Sequence, residues 1–308
     1  MKMLQVASFA RSHRRLVSLI IGIGTLSVAA VALAAIVSGT STSNASTQVT
    51  VTQLKLNRPS VSAGDLMLAS VAINGGSSAV VDAYPSGWTE VKRTDNDTNV
   101  TLITYSKIAS GSEPTDYTWN IHGQTQAAGG ITPYSGVDSI DTSAGYGDNF
   151  GFGTTASTSA ITTIGNNEEV VALFAADIGK TSNAGAYFST VAGMTEKYDQ
   201  SNTPFGPSTA ADDAIQATAG TAGSKSTTIS GGKPRYWAAQ QIALRPVAIQ
   251  YDAESSNFSS SPGTSITTSH TVAGSNTVLF ASVTTTCTGP GDVVTGVTYN
   301  GTAMTQAG

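Results

Sequence analysis

Cysteine occurs once in 308 residues, at Cys287, so no disulfide can form within the chain. Charge is scarce as well: 11% of residues are Asp, Glu, Lys or Arg, against roughly 25% in ordinary soluble domains. Basic residues are the scarcest where they would matter for nucleic acid. Four of the fifteen (Lys2, Arg11, Arg14, Arg15) precede residue 16, leaving eleven against twenty acids from Ser46 onward. An acidic body with no basic run cannot displace the counterions of a phosphate backbone, which excludes nucleic-acid binding. Only three histidines occur, His13, His122 and His270. With one Cys and no ligand spacing, they do not make a zinc site. No G-x-S-x-G elbow accompanies His122, so a serine-hydrolase reading has no anchor. After residue 45 apolar residues never recur at a sustained helical spacing.

Glycine is abundant, at 32 residues, and Ser and Thr are spread throughout. Thr and Val suit a pleated sheet, and Gly supplies the dihedrals of tight turns. The exception is residues 1–45. There a basic flank (Arg11, Arg14, Arg15) precedes an apolar run from Leu16 to Val37. That order is the export pattern. The run suits either a long cleaved signal peptide or an uncleaved membrane anchor, as an N-terminal hydrophobic helix. Small-residue cleavage sites occur at Ala32–Ala35 and at Ser43-Asn44-Ala45. Either way the body is expected outside the cell or on its surface.

A Ser/Thr-rich spacer, Ser38–Thr47, leads into residues 46–246, expected to form one β-sandwich module. Asp65–Ile73 is apolar on both faces, as in a strand covered on both sides. Trp88–Thr94 and Val100–Ile108 flank a polar tip and predict a hairpin. Tyr117–Ile121 and Ala127–Tyr134 follow as strands. Residues 142–159, rich in Gly, Ser and Thr with Tyr146, Phe150 and Phe152, predict a long surface loop. Glu169–Ile178 is the second strongly apolar strand. Pro234–Leu244 closes the module, with Tyr236, Ala238, Gln240, Ile242 and Leu244 on one face. About ten short strands with turns every 8–12 residues predict an all-β, jelly-roll-like antiparallel sandwich.

Residues 247–308 predict the start of a second, truncated β-sandwich module. Thr277–Thr284 repeats the character of Asp65–Ile73, with Ala281-Ser282-Val283 matching Ala69-Ser70-Val71. The expectation is a fragment of a longer repeat protein. The segments Ala63–Ile73, Pro85–Ala109, Glu113–Trp119, Ala127–Thr142 and Trp237–Pro246 together resemble a β-sandwich module that recurs in large bacterial secreted and surface proteins. The resemblance implies an extracellular, modular setting and carries no catalytic residues.

Two groups of residues are candidates for binding. Asp95, Asp97 and Asn99 put three oxygen side chains at alternate positions, the only hint of calcium. The EF-hand pattern fails, because its sixth and twelfth positions fall on Val100 and Ser106. Tyr146, Phe150 and Phe152 could form a ligand surface, since exposed loop aromatics need a reason. Glu168-Glu169 and Asp212-Asp213 are adjacent pairs that a strand would send to opposite faces, and solvation at turns and edges would account for them. The sequence thus predicts a non-enzymatic surface protein, adhesin-like or structural, with glycans or other surface proteins as partners and the membrane as another if the leader stays. A carbohydrate-binding module of a larger secreted enzyme is the alternative.

Overall fold

The computed structural model describes residues 32–33, 35–46, 51–177, 187–201, 206–249, 253–259, 265–272, 279–283 and 294–305. Most of the expected N-terminal helix, built on the run Leu16–Val37, lies outside them, while Ala32–Leu33 and Val37 at its end fall in strands. Among the described residues no helix is long and apolar enough to cross a membrane. The chain divides into two compact units, Met1–Ile249 and Gln250–Gly308.

The first unit is built of strands, with one short 3-10 turn at Gly76–Ser78. They begin with β1 (Ala32–Leu33), β2 (Val37–Ser38), β3 (Thr42–Ala45), β4 (Val51–Asn57), β5 (Leu66–Asn74), β6 (Val81–Ala83), β7 (Thr89–Asn96) and β8 (Val100–Ile108). Next come β9 (Asp116–Thr125), β10 (Ala127–Ser135), β11 (Val137–Ile140), β12 (Asn149–Gly153), β13 (Thr155–Ser157), β14 (Ile161–Thr163) and β15 (Glu168–Ala176). The rest are β16 (Thr195–Gln200), β17 (Ser208–Gln216), β18 (Gly220–Ala222), β19 (Ser226–Thr228), β20 (Arg235–Pro246) and β21 (Ala248–Ile249).

Two six-stranded antiparallel sheets form the centre. The first runs β2-β10-β5-β8-β7, with β3 also paired to β10. The second runs β11-β20-β15-β17-β16, with β12 also paired to β20. Their facing sides share one core: Leu66, Leu68, Ala72, Leu102 and Tyr134 from the first meet Val171, Leu173, Ala175, Ile242 and Leu244 from the second. Gln240 crosses this core. Its amide donates to Thr94 Oγ1 (3.0 Å) and to the Leu102 carbonyl (2.9 Å), and its oxygen accepts from Thr104 (2.5 Å), so a fully buried amide is satisfied.

Each central sheet is covered on its far side too. A three-stranded sheet, β4-β9-β6, packs Leu54, Leu56, Tyr117 and Trp119 onto Met67, Val71, Ile73 and Ile103 of the first. Trp88 joins there, edge-on to Tyr117 (ring centroids 5.1 Å apart) and Trp119 (5.5 Å). On the second sheet, Phe174 and Trp237 are covered by Tyr187, Phe188 and Ile229, and the ladders β13–β19 and β14–β18 add cover. Four layers explain why β5 and β15 lack the usual in–out alternation: neither of their faces meets water.

Several expectations change. The spacer is part of the sheet: β3 pairs along β10 from Ala45↔Ala128 to Thr42↔Ile131, and β2 pairs Ser38↔Tyr134. Ile36 is buried in the central core. The sheet therefore takes in residues the boundary at Ser46 would leave out, because β10 needs a partner on its second edge. Residues 142–159 are not one loop, since β12 and β13 lie within them. In the second unit, the described residues 279–283 carry no strand, and Phe280 is 83% exposed. A short hairpin is present there, β22 (Thr298–Tyr299) with β23 (Thr302–Ala303), turning at Asn300-Gly301 with positive φ at both.

Candidate functional site

Two places on the first unit gather side chains that packing alone does not require. One is an aromatic strip. Phe150 and Phe152 alternate on β12 and point the same way. The register of β12 on β20 puts Phe152 opposite Tyr236, with ring centroids 4.7 Å apart. All three are open to solvent, Phe150 by 52%, Phe152 by 61% and Tyr236 by 37%. Gly151, between them, lies on the Trp237 ring: a Cβ there would stand 2.7 Å from it. The strand thus sits flat, and its alternate side chains are forced outward.

The tip of the β7–β8 hairpin fixes this end of the second sheet. Asn96, buried, donates to the carbonyls of Gly151 (2.7 Å) and Trp237 (2.9 Å). The turn behind it holds Asp97 at a positive φ, and a Cβ on Gly76 would be 2.2 Å from the Asp97 carbonyl. Tyr146 is placed elsewhere. It is half-buried against the central core, with Lys92 Nζ 5.9 Å from its ring centre. Of the three aromatics expected from sequence, two are brought together, and Tyr236 replaces the third. Tyr236 was visible as a strand residue; its partnership with Phe152, 84 positions away, depends on register.

The calcium candidates are not drawn into a cage. Arg93 Nε holds both oxygens of Asp95, at 2.9 and 3.1 Å, and Thr101 donates to the same carboxylate. A guanidinium therefore occupies the place a cation would take. Among the described residues no group of three or more His, Cys, Asp or Glu is arranged to hold a metal. His122 is exposed and pairs with Asp82 (3.0 Å).

The second place contains the acidic pairs, and it overturns their expected solvation. Glu168, Glu169, Asp212 and Asp213 are all buried in the second central sheet. Alternation does send Glu168 and Asp212 outward and Glu169 and Asp213 toward the sandwich interior. Because Val171 pairs with Asp213 and Glu169 with Ile215, the two interior acids are diagonal neighbours. They line a cleft of about 490 Å³ at the sandwich edge, with Ile36, Val37, Ser38, Lys197 and Ile215. Lys197 stands at a bulge in β16, where the pairing with β17 slips between Glu196 and Tyr198. Its Nζ is 3.3 Å from Asp213 and donates to Ser38 Oγ of the opposite sheet at 2.8 Å.

Burial raises the acids there. It lifts Glu169 to about 7, helped by the nearby Asp213 charge and opposed by Lys197. Burial also raises Asp213, against the pull of Lys197 and of the Ser38 and Tyr134 hydroxyls. On the outer face burial lifts Glu168 to about 7, although the Gly165 N–H (2.6 Å) works the other way. Asp212 rises to about 6 through burial, despite the Val191 N–H at 2.8 Å. A run such as Glu168-Glu169 leading straight into a fully apolar strand was the available signal of burial. Comparison with family models, with curated proteins and with solved structures finds no match.

Proposed function

We propose that the chain is a non-enzymatic extracellular surface protein, adhesin-like or structural, built on a jelly-roll-like sandwich. The single observation that carries this reading is the aromatic strip Phe150, Phe152 and Tyr236, three rings held outward on one rigid sheet end. Exposed rings grouped on a rigid strand pair favour contact with another molecule. The export-type leader and the low charge agree with a surface setting. The bacterial surface-module resemblance agrees with it as well.

The alternative, a carbohydrate-binding module of a larger secreted enzyme, draws on the same strip, since sugar rings stack on flat aromatic faces. A glycan-array screen of the purified chain, beside Phe150→Ala/Phe152→Ala/Tyr236→Ala, tests both. Sugar binding lost in the triple variant favours glycans as the partner. A blank array, together with triple-variant-sensitive adhesion to protein-coated surfaces, favours a protein partner. Adhesion to neither would remove the strip as a contact surface.

A further inference from the structure

The edge cleft brings an amine and a carboxyl group together under conditions unlike those of a surface ion pair. Lys197 Nζ and Asp213 Oδ1 are 3.3 Å apart, on adjacent strands, with side chains 11% and 4% exposed. Nζ is thereby held beside the carboxyl group whose carbon it would attack, and fixed proximity can equal effective concentrations of about 10⁵–10⁸ M. Glu169, 4% exposed, lines the same cleft as a diagonal neighbour of Asp213 on the paired strand. Two buried opposite charges are costly to keep out of water, whereas an amide in their place carries no charge.

We propose that Lys197 and Asp213 condense into an intramolecular amide that ties β16 to β17, with Glu169 relaying the protons. The Lys197 ammonium gives up a proton, which reaches the Asp213 carboxylate through Glu169. The neutral Nζ attacks Asp213 Cγ and the C–N bond forms. Glu169 takes the second proton from nitrogen and hands it to the departing hydroxyl. The C–O bond breaks and one water leaves. No oxidant, cofactor or further reactant enters, and Glu169 ends as it began. A group that changes protonation near neutral pH suits this relay. Ser38, accepting from Nζ, aims the amine. The link would supply a covalent tie where the single cysteine supplies none.

Intact-mass spectrometry of the full chain, with Lys197→Arg as reference, tests this. The wild type is expected to be lighter by one water than its sequence requires, and Lys197→Arg to show its full mass. Trypsin does not cut after an acylated lysine. The peptide 181–225, which holds both residues, should therefore stay uncut at Lys197 and lack one water. Asp213→Asn should condense with loss of ammonia in place of water. Glu169→Gln, checked for folding by its thermal transition, should keep the full mass. A wild type at full mass, cut normally after Lys197, would overturn the proposal. Condensation undiminished in Glu169→Gln would overturn the part assigned to Glu169.

Discussion

Glu168 is a buried residue whose charge the fold disfavours. In the unfolded chain it ionises near 4.5; in the fold, burial holds it protonated to about 7. The folded state thus binds the extra proton between those values, and stability falls as pH rises through that window. Allowing for water at the strand end, the loss is on the order of 2 kcal/mol. Glu168→Gln keeps an acceptor for the Gly165 N–H and removes the titration. Thermal unfolding at about pH 5 and pH 8 should show a smaller drop for the variant than for the wild type; equal drops would contradict the assignment. Asn96 makes a separate prediction. Asn96→Ala removes the donor to the buried Trp237 carbonyl and the half-buried Gly151 carbonyl and should cost about 1–3 kcal/mol in denaturant unfolding. An unchanged midpoint would mean the hairpin tip does not depend on it. Alternation told from sequence alone that the two acids of each pair face opposite ways. It could not tell that both faces are dry, because the covering layers come from distant segments.

At the scale of elements, legibility followed hydrophobic content. The strands β5, β8, β15 and β20 announce themselves because their own side chains bury, on one face or both. The polar strands β2, β3, β12, β13 and β14 carry Ser, Thr, Gly and Asn, and form because a partner edge is waiting. Their signal belongs to the pairing and is invisible in either segment alone. This has a consequence for the N-terminal boundary. A chain beginning at Ile36 keeps that buried residue and both strands on β10, whereas one beginning at Ser46 leaves that edge open. Burying one Ile side chain contributes about 1.5–3 kcal/mol before any ladder hydrogen bonds are counted. The shorter chain should melt lower and exchange the amides of β10 faster. Equal melting and exchange would show that β2 and β3 contribute nothing to the sheet.

For the whole molecule, the sandwich is a mount. Two sheets buried on both faces hold an aromatic strip at one end and a lysine–carboxyl contact at one edge. All-β architecture was legible from turn spacing and composition, and the strip only in part: Phe150 and Phe152 could be named, while Tyr236 joins them through register. The claim that this strip is the contact surface is tested most directly by titrating the strongest glycan-array hit. Wild type, Phe152→Ala and Tyr236→Ala would be compared by calorimetry at fixed salt. Losing one stacked ring at about 1.4 kcal/mol or more should weaken binding about tenfold or more in each variant. Affinities equal to wild type in both, with folding intact, would contradict the account.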